Sequence, residues 1–147
     1  LQAAFGLARR LVELRLRPGT PIRSAVDVAR VVRETARSVR RESFYALLVD
    51  ARHRVLGLRV VSVGSLSSAP VHPREVFAAA VREGAAALVL AHNHPSGDAT
   101  PSAEDREVTA RLRESGELLG ITVLDHVVVG ATTYYSFAEG CEGAIQG

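Results

Sequence analysis

Residues 85–105 run Ala85-Ala86-Ala87-Leu88-Val89-Leu90-Ala91-His92-Asn93-His94-Pro95-Ser96-Gly97-Asp98-Ala99-Thr100-Pro101-Ser102-Ala103-Glu104-Asp105. The first seven form a continuous apolar run of strand length, the pattern of a strand buried on both faces. A loop bracketed by Pro and Gly hangs from its end, and Ser102 stands where a helix N-cap is expected. The stretch therefore predicts strand, loop and helix, with the reactive side chains gathered at the joints.

Two histidines one residue apart on an extended backbone point to the same side, because strand side chains alternate with period 2. Eleven residues after His94 comes Asp105, in the first turn of the expected helix, which brings a carboxylate back towards the imidazoles. His92, His94 and Asp105 supply two nitrogens and one oxygen and leave a fourth position for water, the ligand count of a catalytic zinc site. Ser102-Ala103-Glu104-Asp105 also satisfies a helix capping box with no metal at all. Capping leaves the two histidines unexplained, so the metal reading is preferred. Imidazole ligands without a thiolate favour zinc, with nonheme iron as the alternative ion. Zinc polarises a carbonyl and lowers the pKa of its water to about 7, so the expected chemistry is hydrolysis.

Hydrolysis of an amide also needs a general base and a donor for the developing oxyanion. Ser102 is placed to be the donor. For the base, spacing leaves Glu42, Asp50, Glu75 and Glu83 open. Several lookalikes fall away: the letters His92-Asn93-His94 are not the dispersed HNH nuclease signature, a zinc deaminase needs a second cysteine, and the helical H-E-x-x-H signature is absent.

Upstream of this stretch, Phe44 to Asp50 and Val55 to Gly64 are rich in β-branched and aromatic residues and flank Ala51-Arg52-His53-Arg54, the pattern of an antiparallel strand pair. Ser24 and Asp27 open an amphipathic helix to about Arg40, and Pro73 opens another that closes at Gly84. Downstream, the helix from Ser102 stops at Gly120, and Ile121 to Val129 and Thr133 to Phe137 are closing strands. The fold expected is α/β of the α+β sandwich kind, a mixed β-sheet flanked by helices.

A chain of 147 residues, 47% of them hydrophobic, has room for one domain and an appendage. The expected division is an N-terminal helix and linker over 1–21, a main domain over 22–139 and a Gly-rich tail over 140–147 that frays. No Met occurs, even at position 1, which suggests a piece of something longer. The single cysteine, Cys141, excludes an internal disulfide and every zinc site that needs two thiolates. It fits a reducing cytoplasm, and no apolar run is long enough for a membrane helix. Residues 1–41 carry ten Arg against three acids, and residues 42–147 eight Arg against thirteen acids. A basic front of this kind suits contact with DNA or another acidic partner.

His92-x-His94, seven residues, Ser102, two residues, Asp105 resembles the JAMM (MPN+) zinc metalloprotease motif at full spacing. Val71-His72-Pro73-Arg74-Glu75-Val76, Ala91 to Gly97, Thr100-Pro101-Ser102 and Leu124-Asp125-His126 narrow the resemblance to the RadC-like branch, over about Ile22 to Glu139. The resemblance implies a cytidine-deaminase-like JAMM/MPN core and one zinc per chain on His92, His94 and Asp105. It also implies Glu42 as the general base and Ser102 as the group that stabilises the transition state. Related eukaryotic enzymes cut ubiquitin chains, which implies a peptide or ubiquitin-like protein substrate. RadC-like proteins usually carry an upstream helix-hairpin-helix region, of which Leu1 to Arg17 is the expected last helix. The branch commonly has Asn where this chain has Asn93.

Overall fold

The computed structural model describes residues 17–146. The helix expected over Leu1 to Arg17 lies almost wholly outside them. Nine elements follow in order: α1 (Ala25–Val39), β1 (Ser43–Val49), β2 (Val55–Val63), α2 (Pro73–Arg82), β3 (Ala87–Asn93), α3 (Ala103–Leu119), β4 (Thr122–Val129), β5 (Thr133–Ser136) and β6 (Cys141–Ala144). The strands form one mixed sheet in the order β2-β1-β3-β4-β5-β6. Only β3 and β4 are parallel, and α3 makes the connection that a parallel pair requires.

The sheet is a partition with a core on each side. Tyr45, Leu47, Val49, Val89 and Ala91 face Val28, Ala29 and Val32 of α1. The alternate residues Phe44, Ala46, Leu48, Leu88 and Leu90 face Val76, Phe77 and Ala80 of α2 and Val108 and Leu112 of α3. β1 and β3 are therefore buried at every position, which is why both read as unbroken apolar runs. The mixed sheet flanked by helices is the architecture expected from the sequence.

Two boundaries differ from expectation. β3 continues through His92 and Asn93, because Phe44 of β1 pairs with His92 and β4 pairs with both residues. The glycine-rich end does not fray: Cys141–Ala144 pair with β5, and Ile145 is buried in the α1-side core. Gly143 is needed there, because a Cβ would stand 2.5 Å from the Tyr134 hydroxyl oxygen. The Pro/Gly linker is also stitched down, with Gly19 N–H donating to Val55 O at 2.7 Å and Val55 N–H to Thr20 O at 2.8 Å. Among the described residues, no helix is long and apolar enough to cross a membrane.

Candidate metal centre

His92 sits on the last turn of the β3 pleat, on the same face as Leu88 and Leu90. Phe44 stands opposite it and stacks on its ring, with centroids 5.8 Å apart and planes 19° apart. His94, just past the strand end, falls on the same face by alternation. The third group comes from α3. Ser102 Oγ accepts from Asp105 N–H at 3.1 Å, and Asp105 Oδ2 accepts from Ser102 N–H at 2.7 Å. The capping box is thus formed, and it fixes the carboxylate that meets the histidines.

The three side chains converge closely. His92 Nε2 lies 2.9 Å from His94 Nε2, 3.0 Å separate it from Asp105 Oδ1, and His94 Nε2 is 3.1 Å from Asp105 Oδ2. His92 and Asp105 are buried, and His94 keeps an exposed edge. His94 Nδ1–H donates to Asp98 O at 2.8 Å, since a carbonyl oxygen only accepts. A neutral His94 therefore presents a bare Nε2 to a carboxylate oxygen and a second imidazole nitrogen. Lone pairs gathered this way need a cation between them, a proton or a metal ion. A four-coordinate metal with bonds of about 2.0–2.2 Å holds its ligand atoms roughly 3.3–3.6 Å apart, so small side-chain shifts outward from the separations found here would admit one. The donor set fits a divalent transition metal.

The charges agree with the geometry. Burial pushes the Asp105 carboxyl up, but the imidazoles of His92 and His94, when they carry the proton that faces it, and the Ser102 N–H outweigh this and hold the group well below the usual carboxylate range. The hydrogen bond to Asp105 raises His94 above an ordinary imidazole, against the opposing effect of burial.

Glu42 immediately precedes β1. Counting back from the Phe44–His92 pair puts Glu42 opposite His94 and on the histidine face of the sheet. One of its carboxylate oxygens and one nitrogen of each histidine lie within 4.8 Å of one another, and Glu42, His92 and His94 form a group that could hold a metal ion. The other three carboxylates considered as base are engaged or distant. Asp50 binds Arg54 across the β1–β2 turn, Glu83 pairs with Arg59, and Glu75 is exposed on the first turn of α2. A cleft of about 330 Å³ is lined by Glu42, His94, Ser102, Glu104 and Asp105, and so opens onto the site.

Three contributors were not singled out from spacing. Asn93 faces away from the histidines, and its side chain grips the residues on either side of Glu42: Ser43 N–H donates to Oδ1 at 2.9 Å, and Nδ2–H donates to Arg41 O at 2.9 Å. His126 is completely buried beneath His92, with His92 Nδ1 and His126 Nε2 2.8 Å apart. Burial drives its pKa well below the ordinary value. It is a satisfied core histidine, and the groups that satisfy it are His92 and Thr109. Thr109 touches the other nitrogen of His126, and its signal in the sequence is its place one helical turn after Asp105. His53, at a left-handed turn with φ of 59°, and His72, which precedes α2 without capping it through its side chain, are both exposed, as is Arg74. Cys141 is exposed on β6.

The family model for the RadC-like JAB domain matches residues 22–143. The chain belongs to the RadC-like JAB domain family. It is 50% identical over 139 residues to a UPF0758 protein of Syntrophotalea carbinolica, covering 95% of this chain and 61% of that protein. A UPF0758 protein of Trichlorobacter lovleyi is 48% identical over 95% of this chain and 60% of its own length. One of Bacillus cereus is 45% identical over 95% and 62%. This RadC-like JAB domain thus spans about three fifths of the length of the relatives it matches. The matched span takes in β6 to Gly143, four residues beyond the boundary expected from the motifs.

Proposed function

We propose that this RadC-like JAB domain is a zinc-dependent hydrolase of peptide or isopeptide bonds. The observation that carries the reading is the convergence of His92 Nε2, His94 Nε2 and the Asp105 carboxylate at 2.9–3.1 Å, with Glu42 within 4.8 Å of the histidine nitrogens and an open cleft alongside. His92, His94 and Asp105 would hold the ion. Glu42 is given the role of base, which is the one the resemblance implies for it. Zinc, when bound, supplies Lewis-acid polarisation and a lowered pKa for water.

The protein's own groups divide the rest of the work. Glu42 takes a proton from the attacking water as its oxygen bonds to the carbonyl carbon, then passes that proton to the departing amine nitrogen as the C–N bond breaks. Ser102 Oγ already accepts from Asp105 N–H, so its hydroxyl hydrogen is free to donate to the oxyanion on the substrate carbon. The substrate class follows from resemblance to enzymes that cut isopeptide bonds, with ubiquitin-like proteins as candidates, in a cytoplasmic setting.

The test is metal analysis joined to a proteome-wide cleavage screen. Wild type is expected to carry about one zinc per chain, and His92→Ala and Asp105→Ala to lose it. Glu42→Gln should keep zinc and lose turnover by roughly 10²- to 10⁴-fold. A wild type that cannot be loaded with zinc refutes the reading, and unchanged cleavage by Glu42→Gln reassigns the base.

A second reading, a DNA-associated module, is favoured by one observation. Arg33, Arg37 and Arg40 line a cleft of about 430 Å³ whose opposite wall is Asn93, His94 and Pro95. Backbone-driven contact with duplex DNA must weaken steeply as salt rises. Binding that is absent or flat with salt removes this reading.

A further inference from the structure

We propose that Thr109 and His126 are positioning residues that fix the tautomer of His92, leaving its Nε2 bare and aimed at the metal position. The proposal rests on the metal-site reading above and extends it to two buried residues outside the ligand set.

The argument is a count of hydrogens along one chain of contacts. Thr109 Oγ1 donates to the backbone carbonyl of Asp105 at 2.6 Å. A threonine hydroxyl has a single hydrogen, so towards His126 the same oxygen can only accept. His126 Nδ1 is in hydrogen-bond contact with it and must carry the proton. The ring is wholly inaccessible to solvent, stacked on Phe137 with centroids 5.0 Å apart and edge-on to Phe44 at 5.4 Å. No carboxylate touches it among the described contacts, so a cationic His126 would be an uncompensated buried charge. Neutral and protonated at Nδ1, His126 offers a lone pair at Nε2. His92 Nδ1, 2.8 Å away, must then be the donor. With Nδ1 committed to His126, Nε2 of His92 is the nitrogen left for a metal ion, and it faces Asp105 Oδ1 at 3.0 Å.

The chain closes on itself. It starts at the backbone carbonyl of Asp105 and returns to the carboxylate of the same residue. The first turn of α3 therefore sets both the charge facing the metal position and the protonation pattern of the histidine beside it. A metal-binding imidazole is held and tuned by the partner of its other ring nitrogen, and loss of such a partner typically weakens metal affinity 10- to 100-fold.

The experiment has two independent readouts on the full chain. The first is nitrogen NMR of histidine-labelled, metal-free protein, which reports the tautomer of His92 and His126 directly. His126 is expected to be protonated at Nδ1 and bare at Nε2, with His92 protonated at Nδ1, and a His92 bare at Nδ1 overturns the proposal. The second is zinc affinity, measured with the ion alone. His126→Phe should weaken it 10- to 100-fold, whereas His126→Gln, whose amide oxygen can stand where Nε2 accepts, should recover most of the loss. Thr109→Val should weaken zinc binding, and Thr109→Ser should restore it. Unchanged zinc affinity in a folded His126→Phe or Thr109→Val refutes the proposal, and Thr109→Val decides if His126→Phe does not fold. If wild type itself binds no zinc, the hydrolase reading fails while the tautomers still decide the proposal.

Discussion

Replacing Asn93 by alanine removes two hydrogen bonds at once, and their surroundings set the size of the loss. Ser43 is 1% exposed, so its N–H, released from Asn93 Oδ1, finds no water to replace the bond. An orphaned buried donor costs about 1–3 kcal/mol. Arg41 is exposed, so its carbonyl can rehydrate and only the net value of an ordinary hydrogen bond is lost, about 1 kcal/mol. The sum is about 2–4 kcal/mol. With an unfolding entropy of about 2.1 cal/mol/K per residue over 147 residues, that corresponds to a fall in Tm of roughly 6–13 °C.

Asn93→Asp separates hydrogen bonding from cavity formation. The side chain keeps its volume and its acceptor for Ser43 N–H, but it sets a carboxylate oxygen against the Arg41 carbonyl where a donor stood. It should be no more stable than Asn93→Ala. Because Asn93 points away from His92 and His94, zinc content should be unchanged in both variants, while turnover falls. Misplacement of a reacting group by about 1 Å can cost on the order of 10²-fold in rate. Thermal melts read the first effect, and metal analysis with single-turnover assays reads the second. If both variants melt within about 2 °C of wild type, below the range worked from buried hydrogen bonds, Asn93 does not anchor the Glu42 segment.

Gly116→Ala on α3 should gain about 1 kcal/mol from helix propensity. In this structure the new Cβ would meet the Ile121 carbonyl oxygen at 2.3 Å, and overpacking of about 1–3 kcal/mol should prevail, seen as a lower urea midpoint. A higher midpoint contradicts that packing. Asp50 accepts from the N–H groups of Arg52 and Arg54, and the Arg54 backbone bond leads in holding its carboxyl below the ordinary value. A depressed folded pKa stabilises above the unfolded value of about 3.9 and loses that effect as pH falls through the folded value. Asp50→Asn should therefore melt below wild type near neutral pH, with the gap shrinking in acid. A gap independent of pH assigns the effect to geometry instead of charge.

The elements and the His92, His94, Ser102 and Asp105 set were legible because each is local. Strand alternation joins the histidines, one helical turn joins Ser102 to Asp105, and the loop between is short. Glu42 was not selected by spacing, because its approach depends on antiparallel pairing between strands fifty residues apart; only the resemblance chose it. The partner of His126 stayed hidden because β4 reaches β3 across the whole of α3. The tail misled through composition: three glycines among its last eight residues suggested fraying, but one buried isoleucine and a glycine that admits the Tyr134 ring fasten it as a strand.

The same alternation that puts two histidines on one face of β3 leaves the intervening residue on the other, free for a different task. His92 and His94 look towards α3 and the metal position, whereas Asn93 looks towards α1 and grips the backbone at Arg41 and Ser43. Glu42 lies between those two grips, and strand alternation turns it back to the histidine face. One tripeptide therefore sets both the histidine pair and its approach to the carboxylate that would act with it. Exchanging Asn93 for a residue with one polar group leaves the histidine pair intact but gives up one of the two grips. The separation of metal binding from turnover in the Asn93 variants is the measurable consequence of a strand period of two.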